Sequence, residues 1–143
     1  METYCRTKQF DKLKVQVYPT RREMGEAAAG SAAAKIREIL EQKEEIRIVF
    51  ASAPSQLDFL KALCEAPGID WSRVTAFHQD EYMGASPEDD YSFAKFIKEQ
   101  VADKVHPGKF HYINGKNADI EGECRRYAAL VSEKPIDIVC LGI

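Results

Sequence analysis

Clustered metal ligands are missing from this 143-residue chain: its four cysteines and three histidines are dispersed, with no CxxC and no HxxxH. Short ligand spacing is what marks a structural zinc site, so no metal is expected. Cys5, Cys64, Cys124 and Cys140 instead read as small reduced hydrophobes, the last three at expected buried helix or strand positions. Long apolar runs are missing too. No stretch approaches the roughly 18 to 20 residues that cross a bilayer, and Met1 to Phe10 contains no apolar core of a secretory leader. A cytoplasmic location without membrane contact is therefore expected. Blocks of basic residues are also absent: 20 Lys and Arg are scattered among 23 Asp and Glu, for a net charge of -3. Nothing in that pattern attracts a phosphodiester backbone, so nucleic acid is not an expected partner.

What is present is a chain with 45% hydrophobic and 30% charged residues, enough to bury one core, and a single domain over residues 1–143 is expected. Lys14 to Tyr18 alternates as a strand and is closed by Pro19 and Thr20. From Arg21 to Gln42 the residues Met24, Ala28, Ala32, Ile36, Ile39 and Leu40 recur at three and four, the stripe of an amphipathic helix. Ile46 to Ala51 is rich in β-branched residues and reads as a strand. Leu57, Leu60, Leu63 and Cys64 draw a second helical stripe ended by Pro67-Gly68. Val74 to His78 reads as a strand, Tyr91 to Val105 as a helix, Phe110 to Ile113 as a short strand, and Ile136 to Leu141 as a last one. Between those two strands Ile120, Cys124, Tyr127, Ala128 and Val131 mark another helix. Such alternation predicts an α/β fold of three layers, α/β/α, around a mostly parallel Rossmann-like sheet. The sheet looks unfinished after Gly142, where another helix is normally expected. An exposed apolar sheet edge favours association, and a homo-oligomer is expected.

Ligands of open parallel sheets bind beyond the carboxyl ends of the strands. Two loops there carry chemistry. Ser52-Ala53-Pro54-Ser55-Gln56 offers hydroxyls and amides at a helix start, which suits an anion such as phosphate; Ser55 as a plain helix cap is an equal alternative. Phe77-His78-Gln79-Asp80-Glu81-Tyr82-Met83-Gly84 sets two carboxylates at the sheet rim, where partial desolvation suits one to act as a general base; a solvated acidic turn is the alternative. His78 is expected to be packed or hydrogen-bonded, and Trp71 to pin its loop to the core.

Asp80-Glu81-Tyr82-Met83-Gly84 followed by Tyr91-Ser92-Phe93, with the closing Asp137-Ile138-Val139-Cys140-Leu141-Gly142-Ile143, resembles the glucosamine-6-phosphate deaminase and isomerase family. The resemblance covers essentially the whole chain as that family's amino-terminal part. It implies a sugar-phosphate enzyme without metal or organic cofactor, with Asp80 as the enolising base. Ser52, Ala53 and Ser55 match the phosphate loop, Glu81 is counted with the substrate-binding residues, and Tyr82 would help shape the pocket floor. The ring-opening histidine and its supporting acid would follow Ile143, so this chain alone is not expected to turn over substrate. One departure is the pair Ala53-Pro54, where the family usually carries paired glycines. A 6-phosphogluconolactonase-like hydrolase and a non-catalytic sugar-phosphate-binding module are the alternatives; Tyr82 and Gly84 favour the deaminase side.

Overall fold

The computed structural model describes residues 6–142; Cys5 and Ile143 lie outside them. Strands β1 (Arg6–Phe10) and β2 (Leu13–Val17) pair antiparallel across a turn in which Asp11 adopts a φ of 53°. This corrects the expectation that the strand near Lys14 opens the parallel series: it belongs to a separate two-stranded sheet, with Arg6 to Phe10 as an unforeseen partner. The reason lies in composition. Strands buried on both faces are near-continuous apolar runs, and Leu13–Val17 interleaves lysine and glutamine and stays largely exposed.

Helix α1 (Arg21–Gln42) starts at Thr20, whose hydroxyl accepts from the Glu23 N–H at 3.1 Å. Its buried residues are Gly25, Ala29, Ala33, Ile36 and Leu40: Ile36 and Leu40 as expected, with Ala32 and Ile39 packed against the core, whereas in the first half Met24 and Ala28 are exposed and their neighbours Gly25 and Ala29 turn inward. The helix turns its smallest residues inward because α2 (Leu57–Glu65) lies against them. A methyl group placed on Gly25 would stand 2.8 Å from Asp58 Cβ and 2.9 Å from the Phe59 nitrogen.

The main sheet is wholly parallel, in the order β5–β4–β3–β6, from β3 (Ile46–Phe50), β4 (Val74–His78), β5 (Lys109–His111) and β6 (Ile138–Val139). Because side chains alternate across a strand, Ile46, Ile48, Phe50, Val74 and Ala76 share one face. They form the core with α1, α2 and the helical stretch made of α3 (Phe93–Ile97), a π-helical turn (Lys98–Ala102) and α4 (Asp103–Val105). Trp71 joins that core as expected.

The other face meets α5 (Ile120–Ser132). There Arg47, only 4% exposed, lies 4.9 Å over the Phe77 ring and donates to the carbonyls of Leu130, Val131 and Lys134. A buried guanidinium so placed satisfies the last carbonyls of α5 and stands where the helix dipole favours a cation. The expected stripe of α5 is only partly covered: Ile120, Cys124 and Ala128 are exposed, and Tyr127 and Val131 are half-buried. No second helix among the described residues shares that face. The last strand is shorter than its apolar run, although flanking bonds from Asp137 N to Arg47 O and from Cys140 N to Val49 O extend its pairing.

Gly25 and Gly30 separate close approach from propensity. Gly25→Val is expected to lower stability by about 1–3 kcal/mol through overpacking against α2. Gly30→Ala, which meets nothing within 4 Å, is expected to raise it by about 0.5–1 kcal/mol. Urea midpoints of the two variants check both signs.

Candidate functional site

The chain runs from β3 outward to β4 and β5, then returns through α5 to lay β6 against the free side of β3. β6 thus lies beside β3 after a return crossover, which makes the carboxyl ends of these two strands the point where the strand order reverses and where ligands of open α/β sheets bind in a crevice. Two observations show that the loops leaving these strands meet. A methyl group on Gly142 would lie 3.4 Å from Gln56 Nε2 and 3.7 Å from Ser55 Oγ. Gln79, directly after β4, donates from its backbone to Phe50 O and from its side chain to Cys140 O, both at 3.2 Å. Gln79 thus ties the end of β4 to the ends of β3 and β6.

Directly after β3, Ser52 is buried and its hydroxyl has no hydrogen-bond partner among the described residues. An unpaired buried hydroxyl is costly, and it stands just ahead of a short 3-10 turn (Pro54–Gln56) that leads into α2. No side chain caps that turn. Ser55, exposed within it, does not serve as the plain cap that the sequence left open. Ala53 has φ -146° and ψ 153°, an extended conformation open to any residue. Pro54 takes the first position of the turn, where its fixed φ fits and its missing N–H is one that has no partner within the turn. The Ala53-Pro54 pair is therefore accommodated without strain, while the Gln56 N–H is spent on Ala53 O at 2.9 Å.

The loop after β4 is held at both ends. Glu81 accepts from Ser92 Oγ at 2.8 Å and from the backbone N–H groups of Tyr82, Phe93 and Ala94 at 2.9, 3.0 and 2.9 Å. Burial pushes the Glu81 pKa up, and these bonds, led by that from Ala94, outweigh it, holding the carboxyl below the usual glutamate range. Gly84, at φ 87°, turns the chain back and donates to Gly115 O at 2.7 Å. That neighbouring turn is fixed in its own right: the buried Glu123 accepts from Asn114 N at 2.7 Å and pairs with Arg126, which leads in drawing its pKa down to about 2.

Asp80 is exposed and enters no ion pair among the described residues. Tyr82, half-exposed, stacks on Phe93 with centroids 4.8 Å apart and meets Tyr91 edge-on at 6.0 Å. Ser52, Ala53 and Ser55 lie on one wall of the sheet rim, and Asp80, Glu81 and Tyr82 on the loop next to it. Gln79 and Gly142 escaped sequence reading, because their roles arise only from strand order. Ser92 carried a signal, a serine directly before an apolar helix start, but its bond to Glu81 is not local. Burial raises the thiols of Cys64 to about 11 and Cys140 to about 12. Cys124, expected buried, is exposed on the uncovered side of α5. No group of three or more His, Cys, Asp or Glu among the described residues is placed to hold a metal ion, and no helix is long and apolar enough to cross a membrane.

Because the folded-state pKa of Glu81 is depressed, its contribution to stability is present above the ordinary value of 4.5 and is lost as pH falls through the folded value. Glu81→Gln is expected to lower the urea midpoint at pH 7, and the gap to the parent chain is expected to close as pH drops below 4.5. Paired denaturation curves at pH 7 and pH 3.5 read this directly.

Comparison with known proteins bears on the family and the fold. Residues 19–143 match the family model described as glucosamine-6-phosphate isomerases/6-phosphogluconolactonase. The glucosamine-6-phosphate deaminase of Bacillus cereus (strain B4264) is 33% identical over 132 residues, which is 92% of this chain and 48% of the relative. The chain thus spans about half the length of the curated relatives it matches. A solved monomeric glucosamine-6-phosphate deaminase superposes over 80% of this chain and 48% of its own, with a TM-score of 0.71 at 24% identity. The 6-phosphogluconolactonase from Plasmodium vivax does so over 93% and 48%, with a TM-score of 0.78 at 16% identity. At those identities the two structures speak for the fold. With the family model matching nearly the whole sequence, the chain belongs to the glucosamine-6-phosphate isomerase/6-phosphogluconolactonase family.

Proposed function

We propose that this chain supplies the phosphate cradle and the enolising base of an enzyme that converts glucosamine 6-phosphate and water to fructose 6-phosphate and ammonia. The observation that carries the reading is the division of labour between adjacent carboxylates. Glu81 is consumed by four hydrogen bonds of its own chain, whereas Asp80 is left free at the rim beside the crevice. A fixed loop presenting one unengaged carboxylate is what proton abstraction requires.

In this reading the Ser52 and Ser55 hydroxyls and the Ser55 amide take the phosphate of the open-chain amino sugar, with Ala53 placing them. Asp80 removes the proton from C2. The C2–H electron pair moves to form a C1–C2 double bond, and the carbonyl oxygen at C1 is protonated, giving an enolamine. Protonation at C1 then yields an imine at C2. Water adds there, the C–N bond breaks, and ammonia leaves. Tyr82 lines the pocket beside the sugar. With both oxygens engaged, Glu81 serves as the wall that holds Asp80 in place, not as a direct contact to the sugar. The alternative, hydrolysis of 6-phosphogluconolactone on the same phosphate loop, is kept alive by the structural neighbours. Relatives at 33% identity favour the deaminase.

The test separates binding from chemistry. Titration calorimetry of glucosamine 6-phosphate into the chain is expected to show binding that Ser52→Ala weakens by about tenfold to a hundredfold, the loss of one charge-assisted hydrogen bond. Asp80→Asn is expected to leave that affinity within about twofold. Ammonia release is expected only when the chain is joined to the carboxyl-terminal half of the B. cereus relative, and Asp80→Asn is expected to cut it by about a hundredfold or more. Lactone hydrolysis by the fusion without ammonia release would select the alternative. A parent chain that fails to bind the sugar phosphate at all would refute both.

A further inference from the structure

The last residue of β4 is a buried imidazole that the proposed chemistry leaves without a task. His78 is fully buried. Its Nε2 accepts from the Ile113 backbone N–H at 3.0 Å, just beyond β5. A nitrogen that accepts carries no proton, so the neutral ring holds its hydrogen on Nδ1. That Nδ1 is buried without a hydrogen-bond partner among the described residues, while the Asp80 main chain lies near enough to favour a charged ring without reaching bonding geometry on it.

A second tie comes from α5. The Tyr127 hydroxyl lies 2.8 Å from the His78 carbonyl oxygen, to which it donates, and accepts from the His78 N–H at 2.9 Å. Burial raises the Tyr127 pKa to about 12, so this hydroxyl keeps its proton across the working range. The rings of Tyr112 and Tyr127 flank the imidazole with centroids 5.9 and 6.2 Å away. The charged groups facing it are Glu81 and Asp80 on its own loop, and both favour protonation. Burial works the other way and prevails, so the ring stays neutral below the ordinary histidine midpoint. The aligned neighbour across from it on β3 is the apolar Phe50.

We infer that His78 is a positioning residue for the base. As a neutral Nδ1–H ring, locked to β5 through Ile113 and to α5 through Tyr127, it sets the point at which Gln79 and Asp80 leave the sheet. The inference rests on the reading of Asp80 as the base. Asp80 has no ion pair of its own, so its place is fixed from either side: upstream by His78 and the Gln79 bonds, downstream by Glu81. Displacement of a reacting group by about 1 Å costs about a hundredfold in rate, which gives this upstream anchor its weight.

The test uses the 143-residue chain. Long-range proton–nitrogen NMR at pH 6.5, where an ordinary histidine is half protonated, is expected to show His78 as the neutral Nδ1–H tautomer; a charged ring or the Nε2–H tautomer overturns the inference. Amide exchange of residues 79–84 is expected to speed up by about tenfold or more in His78→Leu and in Tyr127→Phe. His78→Gln, whose amide oxygen can take the Ile113 N–H, is expected to restore it. Unchanged exchange in Tyr127→Phe, which removes a single hydroxyl, overturns the inference even where His78→Leu fails to fold. Calorimetry of the same variants with glucosamine 6-phosphate separates the two readings. If the tautomer and exchange results come out as expected and the parent chain binds no sugar phosphate, the anchor stands and the proposed function falls.

Discussion

The pairing of β3 with strands on both sides is the constraint on which the rest depends. β3 lies between β4 and β6, parallel to each. It can do so only because its residues are apolar on both faces, apart from Arg47, whose charge is absorbed by the carbonyl end of α5. Parallel neighbours require crossovers of a dozen or more residues, and the two neighbours of β3 arrive by crossovers on opposite faces. The crevice at the carboxyl end of β3 is thus a by-product of strand order. Gln79 meets Phe50 and Cys140 there, and Gly142 meets Ser55 and Gln56, although these residues lie far apart in sequence.

Around that crevice, fixed and free groups are sorted by how the polar atoms are satisfied. Glu81, Glu123 and Arg47 are each held by several partners of the same chain, and each stabilises a segment that flanks the site. Ser52 and Asp80 are not so held. Buried polar atoms are nearly always paired, so the unpaired Ser52 hydroxyl is the place where a ligand oxygen would lower the free energy most.

Much of this was legible from residue pattern. The strands Ile46–Phe50 and Val74–His78 stood out because buried parallel strands are short apolar runs with sharp ends. The loops after them followed as site candidates from general sheet geometry, and Asp80 and Ser52 sit on those loops. Three features resisted. The amino-terminal hairpin depends on Asp11 entering the left-handed region, a choice that a polar turn residue permits but does not announce. The inward face of α1 is set by the close approach of α2 at Gly25, where the absence of a side chain is the information and hydrophobic periodicity is silent. The engagement of Glu81 was hidden because its partners, Ser92 to Ala94, lie more than ten residues away.

The central claim is that the crevice between β3 and β6, with Asp80 at its rim, is where a sugar phosphate binds. The most direct measurement is the amide chemical-shift map of the labelled chain titrated with glucosamine 6-phosphate, with inorganic phosphate as the reference. The account predicts saturable shifts at Ser52 to Leu57 and Gly142 for both ligands, and at Gln79 and Asp80 for the sugar phosphate alone. Shifts confined to the cavity that Glu81 lines together with Ala85, Lys95, Lys98 and Tyr112, or no saturable shift at Ser52 to Leu57, would contradict it.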